Sequence, residues 1–358
     1  MKKHIAVLAG DGIGPEIMEC ALKVLEKVAT KFNHNFEFKK ALVGGAAYDK
    51  YGEHLPNDTL EICKQSDAIL FGSVGGPISD QMNPKWKGCE ANSLLGIRKA
   101  FSFNANFRPA KVYPELSAIC PLKAEIINQG VDLLIIRELI GGIYFGEHKF
   151  YEENGKKAAS DICIYTTNQI ESIVRVGFEA AKKRRKKLTS VDKANVLHTS
   201  KLWREIVEQV AKDYPDVKYE HMLVDNCAMQ IITKPSSFDV IVTENMFGDI
   251  LSDAAAVLPG SLGLTPSASL NNQGFGMYEP SGGSAPDIAG KNIANPIAQI
   301  LSAGLMLQFS FGLNEEASVI NNAVDKAIAN GIRTSDIQSK DLKAYSTSEF
   351  SEELLKLI

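Results

Sequence analysis

The stretch "ENMFGDILSDAAAVL", residues 244–258, sets two carboxylates, Asp249 and Asp253, four positions apart in an otherwise apolar run. On a helix these side chains share a face and repel each other. No Lys or Arg occurs from residue 235 to residue 290 to neutralise them. Two readings follow. The helix presents an acidic edge to solvent, or the pair forms one side of an oxygen-ligand site for a hard divalent cation. Asp225 in "VDNCAMQ", read as the end of an apolar strand, could then supply a third carboxylate. Arginines stand in "SLLGIRKA" (Arg98), "NANFRPA" (Arg108) and "LLIIREL" (Arg137). A permanent charge closing an apolar strand, as Arg137 does, is costly unless an anion meets it. Guanidinium planes suit bidentate carboxylate binding. Singly each reads as structural; together, near element ends, they outline a site for a small polyanion.

Proton-transfer groups are also present. Lys193 and Asn195 fall in "SVDKANVL", a strand-like run where a buried lysine titrates nearer neutrality. Tyr144 follows the glycines of "GGIYFG" and could act as an acid. Each also has a plain reading as a satisfied polar residue at a strand end. Two glycine-rich stretches bear on nucleotides. "GDGIGPE" (10–16) departs from the G-x-G-x-x-G dinucleotide fingerprint, because its third glycine comes early and Pro15 takes the last place. It reads better as a tight strand-to-helix turn beside a site. In "EPSGGSAPDIAGKNIANP" (279–296), the run Gly283, Ser284, Ala285, Pro286, Asp287, Ile288 offers backbone amides and an acid, and Asn295 adds an amide side chain. An acid there accepts hydrogen bonds from a ribose diol and repels a 2′-phosphate, which favours NAD over NADP. The alternative is a long surface loop.

The elements that must position these groups alternate strand with helix. "HIAVLAG" reads as a buried strand, and Pro15 fits the first turn of the helix that continues through "EIMECALKVLEKVATKF". "FEFKKALVG", "DAILFGSVG", "VDLLIIREL", "KLTSVDKANVL" and "FDVIVTENM" read as further strands, and "SKLWREIVEQVAKDYP" as an amphipathic helix stopped near Pro215. Such alternation predicts open α/β sheets covered by helices. Residues 147–166 read instead as a hairpin turning at Asn154-Gly155, with too little apolar material to be stable alone. It needs something to pack against, and a second subunit is the expected support.

With 358 residues, 45% of them apolar, the chain is long enough for two domains, with a core in each. The expected division is 1–103 with 258–358 as one discontinuous domain, and 104–257 as the other. The net charge of -4 speaks against nucleic acid or an anionic membrane as partner. The run "KKRRKK" (182–187) reads as a solvated helix end, where cations favour the C-terminal dipole. The scattered cysteines read as free thiols of a reducing compartment, and the apolar start ends too soon, at Asp11, for a secretory leader. A cytoplasmic enzyme is expected.

Assembled, these blocks resemble the metal-dependent β-decarboxylating dehydrogenases of the isocitrate/isopropylmalate dehydrogenase family, across essentially the whole chain. The carriers are "GDGIGPE", "LLGIRKAFSFNANFRPAKVY", "RELIGGIYFGE", "SVDKANVL", "VDNCAMQ", "TENMFGDILSDAAA" and "GGSAPDIAGKNIANP". The resemblance implies a two-domain open-sheet α/β fold that is not a standard Rossmann fold. It implies a homodimer with shared active sites and an intersubunit arm at about 147–166. Arg98, Arg108 and Arg137 would hold the substrate's two carboxylates. Asp249 and Asp253 of one subunit, with Asp225 of the other, would bind Mg²⁺ or Mn²⁺. Lys193, also from the second subunit, would assist deprotonation of the hydroxyl, and Tyr144 would protonate the enolate carbon. Asp287 and Asn295 would meet the adenosine of NAD, with Ile13 and its glycines nearby. Leu94 and Leu95, a turn before Arg98, suit an isopropyl group where isocitrate-specific relatives carry a polar residue, typically serine. The implied reaction is NAD-dependent oxidative decarboxylation of (2R,3S)-3-isopropylmalate to 4-methyl-2-oxopentanoate, in leucine biosynthesis. One departure is Cys89, where a proline often precedes the acid that here is Glu90.

Overall fold

The computed structural model describes residues 1–339 and 341–358. In chain order the strands are β1 (Lys2–Gly10), β2 (Asn35–Lys40), β3 (Ala68–Ser73), β4 (Ala105–Lys111), β5 (Asp132–Glu138) and β6 (His148–Glu153). They continue with β7 (Lys156–Asp161), β8 (Lys187–Asp192), β9 (Lys218–Leu223), β10 (Val240–Thr243), β11 (Pro266–Leu270) and β12 (Gly276–Pro280). The chain divides into two compact units. One joins Met1–Ser102 to Gly260–Ile358, and the other is Phe103–Pro259.

The discontinuous unit has strand order β2-β1-β3-β12-β11. β1 runs parallel to β2 and β3, and β3 parallel to β12 (Ile69 opposite Met277). Only the β11–β12 pair is antiparallel. Parallel strands covered on both faces lose their alternation, which is why β3 is buried at every position. After β1 the chain turns at Gly10 and Gly12 into the helix Gly14–Phe32. Pro15 sits in its first turn, where no intrahelical N–H bond is needed. That helix buries Ile17, Met18, Ala21, Leu25 and Val28, at the three- and four-residue spacing of one helical stripe.

The continuous unit has strand order β4-β5-β10-β8-β9, with β4 antiparallel to β5 and the others parallel. Leu133 and Ile135 of β5, Ile241 of β10, Ile231 of helix Val224–Thr233 and Leu251 of helix Asn245–Ala256 meet in one core. Burying side chains of this size stabilises by roughly 1.5–3 kcal/mol each.

Three expected elements end earlier or differ in kind. The run "KLTSVDKANVL" stops being a strand at Asp192, whose Oδ1 accepts the N–H of Ala194 (2.8 Å) and whose carboxylate also takes Arg204. Lys193 and Asn195 therefore lie in the turn that follows. Asp225 does not end a strand: β9 stops at Leu223, and Asp225 occupies the first turn of helix Val224–Thr233. The helix of the acid pair begins at Asn245, two residues ahead of Phe247.

The hairpin β6–β7 pairs Glu153 with Lys156. Asn154 (φ 52°) and Gly155 (φ 73°) both take positive φ, as a two-residue I′ turn requires. Its strands are largely exposed. The basic run is not simply solvated. Arg184 bonds Asp239 and Asp132, and Arg185 reaches the carbonyls of Asp132 and Phe238, so both tie the starts of β5 and β10 together. No described helix is long and apolar enough to cross a membrane.

Candidate active site

In the continuous unit the functional side chains gather past the carboxyl ends of β5, β8, β9 and β10, the end of a parallel sheet where ligands bind. Helix Asn245–Ala256 follows β10 and buries Phe247, Leu251 and Ala255, which turns Asp249 and Asp253 to the opposite side. The cations absent from their own stretch come from neighbouring strands. Arg137, 7% exposed at the end of β5, donates from Nη1 to Asp249 Oδ1. Its Nε and Nη2 donate to Asn245 Oδ1 at 3.1 and 2.8 Å. Gly248 makes room, since a Cβ there would lie 2.7 Å from the Arg137 Cβ. On β4, Arg108 donates from Nε to Asn106 Oδ1 (2.8 Å) and brings Nη1 to 4.0 Å from Asp253. The Asp253 side chain remains 74% exposed.

Tyr144 donates its hydroxyl to the second oxygen of Asp249 at 3.2 Å, and its ring lies 6.0 Å from the Arg137 guanidinium. Burial, then the charge of Asp249, pushes its phenol above the ordinary value, so it keeps its proton at neutral pH. Lys193 Nζ donates to Asp225 Oδ1 at 2.6 Å. That bond is the main reason Asp225 titrates below the usual carboxylate range. Asp225 thus faces Lys193. Among the described residues no three His, Cys, Asp or Glu side chains are grouped to hold a metal, so a single chain does not assemble the three aspartates. Asn195 is exposed beyond the end of β8.

In the discontinuous unit the two glycine-rich stretches form one structure. Ile13 N donates to the Ser284 carbonyl at 2.9 Å. Gly12 adopts φ +60°, and a Cβ there would strike the Ser284 oxygen at 1.9 Å. Beside them opens a cavity of about 300 Å³, lined by Ile13, Leu262, Gly283, Ala285, Ile288 and Asn295 among others. Pro286 and Asp287 are exposed on the same loop.

Asp336, absent from the sequence reading, also lines the cavity. It accepts from Asn295 Nδ2 (3.0 Å), Ser261 Oγ and Thr334 Oγ1 (2.6 Å). The only local hint is Thr334 two residues before it. The meeting with Asn295 is a tertiary event.

Asp11, between the first two glycines of "GDGIGPE", has a structural duty. Buried at 7% exposure, it accepts the N–H groups of Gly45 (2.8 Å), Ala46 (2.8 Å) and Gly75 (3.0 Å), a structural clamp on the surrounding loops. Arg98 Nη2 donates to Glu279 Oε1 at 2.9 Å, while its buried Nε finds no acceptor among the described residues. Leu94 and Leu95 end a wide helical turn, Ala91–Leu95, about one turn before Arg98, and Leu95 is 49% exposed. Glu90 is exposed, whereas Cys89 is buried and its thiol is pushed up to about 11 by burial and the charge of Asp11. At position 89 the thiol is a protonated filler.

Charged side chains collected at the ends of parallel strands, on a scaffold with a separate apolar cavity, define an enzyme of small molecules. The chain belongs to the isocitrate/isopropylmalate dehydrogenase family, whose profile matches residues 4–354. It is 52% identical over 358 residues to the 3-isopropylmalate dehydrogenase of Helicobacter hepaticus, covering 100% of both chains. It is 54% identical to the enzyme of that name from Aquifex aeolicus, covering 99% of this chain and 97% of that one. Among solved structures it is similar to the isocitrate dehydrogenase of Methylococcus capsulatus (TM-score 0.84, 35% identity, 99% of each chain). A β-decarboxylating dehydrogenase from Thermococcus kodakarensis is also similar (TM-score 0.81, 32% identity, 99% of this chain and 96% of that one).

Proposed function

We propose that this chain oxidises (2R,3S)-3-isopropylmalate with NAD and decarboxylates the product to 4-methyl-2-oxopentanoate, a step of leucine biosynthesis, in the cytoplasm. The observation that carries the substrate is the full-length identity of 52–54% to 3-isopropylmalate dehydrogenases, against 35% to an isocitrate enzyme of similar fold. Leu94 and Leu95 beside Arg98 agree with it: an apolar contact favours an isopropyl group over a third carboxylate, though one such contact discriminates by only about 1–3 kcal/mol.

The residues present fit both absent groups. Asp249, Asp253 and Asp225 are all-oxygen donors, the first half-buried and the other two exposed, as a hard divalent cation wants. On this reading the third donor and Lys193 come from another copy. Exposed apolar side chains on the same two helices, Met229, Ile232 and Ile250, fit a surface that a second copy covers, and the hairpin β6–β7 fits an arm that crosses to it. The cavity beside Ile13, Asn295 and Asp336 suits an adenosine, and Asp287, exposed on the loop that lines it, is the proposed ribose acceptor.

In the reaction, Arg98, Arg108 and Arg137 orient the dicarboxylate. Lys193 of the partner subunit assists removal of the hydroxyl proton while the carbinol hydride leaves. The bond from C3 to its carboxylate, β to the new carbonyl, then breaks, CO₂ departs with the electron pair left as an enolate, and Tyr144 gives its proton to C3. When bound, NAD accepts the hydride and Mg²⁺ or Mn²⁺ stabilises negative charge developing on substrate oxygen. The test is NADH absorbance with purified protein, NAD⁺, Mg²⁺ and 3-isopropylmalate, repeated after chelation. Turnover lost on chelation is expected. Faster turnover of isocitrate or malate than of 3-isopropylmalate would overturn the substrate.

A further inference from the structure

Beneath the Tyr144 loop lies a buried polar network that the proposed chemistry leaves unused. Glu138, 1% exposed at the end of β5, accepts the N–H of Ile140 on one oxygen and that of Gly141 on the other, both at 2.8 Å. Tyr165, itself 6% exposed, donates its hydroxyl to the same carboxylate. The Tyr165 ring supports the glycines: a Cβ on Gly141 would approach it to 2.6 Å, and one on Gly142, where φ is +82°, would meet its hydroxyl at 2.4 Å.

The same hydroxyl accepts the N–H of Asn245 at 2.9 Å. Asn245 donates its side-chain amide to the Gly141 carbonyl (3.2 Å) and receives two N–H bonds from Arg137. Arg137 and Tyr144 converge on the two oxygens of Asp249. The bonds therefore close a ring from Glu138 through the glycine turn to Tyr144, across Asp249 and Arg137 to Asn245, and back through Tyr165. A carboxylate at this depth is costly, and an apolar side chain would suit a core strand better. Tyr144 has a half-exposed ring and follows two glycines, so its own loop does little to fix it.

We propose that Glu138, together with Tyr165, is a positioning residue: it anchors the Gly141–Gly142 turn and thereby holds the Tyr144 hydroxyl against Asp249. This rests on the reading of Tyr144 as proton donor given above. Glu138→Gln keeps the volume but cannot accept from two amides and a hydroxyl at once, because half of its head group is itself a donor.

The experiment is a double-mutant cycle on the complete protein with NAD⁺, Mg²⁺ and 3-isopropylmalate, using Glu138→Gln, Tyr144→Phe and the double variant. A displaced catalytic group of this kind should lower kcat about tenfold or more while KM changes less than about threefold. In the Tyr144→Phe background the same substitution should change kcat less than about twofold, since the group it positions is gone. Unchanged kcat in folded Glu138→Gln, or losses that multiply in the double variant, overturns the proposal. If Glu138→Gln does not fold, Tyr165→Phe, which deletes one hydroxyl, takes its place in the cycle. If the wild type does not turn over 3-isopropylmalate, the functional reading fails separately. Positioning is then read from the ring signal of Tyr144 in tyrosine-labelled protein, identified by its loss in Tyr144→Phe. A signal shifted by Glu138→Gln supports the proposal, and an unmoved one overturns it.

Discussion

Glu244 is the residue at which burial has the clearest measurable consequence. It caps helix Asn245–Ala256, is 5% exposed, and accepts no side-chain hydrogen bond from the described residues. Burial first, then the charges of Glu138 and Asp192, raises its carboxyl from 4.5 to about 7. The helix dipole pulls the other way, favouring charge at an N-terminus by about 0.3–1 kcal/mol, which is too little to reverse the sign. The sign of the pH effect follows from the two states. Below pH 4.5 the folded and unfolded forms both carry the proton, and Glu244 imposes no penalty. Between 4.5 and about 7 the folded form binds more proton than the unfolded one, so stability falls as pH rises, and above about 7 the penalty is complete. At about 1.36 kcal/mol per pKa unit, the full penalty is on the order of 3 kcal/mol.

Glu244→Gln is neutral throughout, and every other titrating group is common to both proteins. Urea unfolding at equal protein concentration should therefore show the variant gaining on the wild type between about pH 4.5 and pH 8, by about 2–3 kcal/mol. Stability curves that run parallel over this range would refute the reasoning, because they would mean the buried carboxyl titrates no differently from an unfolded one.

Three further outcomes are expected. Gly12→Ala places a methyl group on the Ser284 carbonyl at a positive φ, so it should lower Tm and raise KM for NAD about tenfold, while a full-affinity, fully stable variant would contradict the packing. Asp11→Ala strands the three amides of Gly45, Ala46 and Gly75, at about 1–3 kcal/mol each, and calorimetry should show Tm down by about 5 °C or more. Leu94→Ser should raise KM for 3-isopropylmalate about tenfold and improve the relative rate on isocitrate. A substrate panel that leaves the ratio unchanged would remove Leu94 from the pocket.

The α/β alternation was readable because its signals are local. The helical stripe from Ile17 to Val28 and the apolar run of β3 declare themselves within a few residues. The spacing of Asp249 and Asp253 was equally local, and so was the hairpin turn at Asn154-Gly155. What faces these groups was not. Arg137 and Arg108 lie more than a hundred positions upstream of the aspartates and reach them only because β4 and β5 lie beside helix Asn245–Ala256. Asp336 and Asn295 meet by the same kind of long-range folding. Strand ends were misjudged where a polar side chain closes its own turn, as Asp192 does, because an apolar run such as "SVDKANVL" does not reveal where hydrogen bonding leaves the sheet. Glu138 and Glu244 gave no signal at all, since a charged letter in an apolar stretch reads as an edge rather than as an interior anchor. In "KKRRKK" the composition hid two clamps, Arg184 and Arg185, whose aspartate partners stand at the starts of distant strands.

The interrupted chain path has a consequence for biosynthesis. Phe103–Pro259 is one unbroken stretch, so a growing chain can complete that unit while its other half is still being translated. β3, in contrast, is made early and pairs on one side with β12, whose residues come some two hundred positions later (Ile69 opposite Met277). Until then a strand that is buried at every position in the folded unit waits with an open edge, the geometry from which off-pathway pairing between nascent chains begins. The unit built from both ends of the polypeptide is therefore the one more exposed to such mispairing during vectorial synthesis.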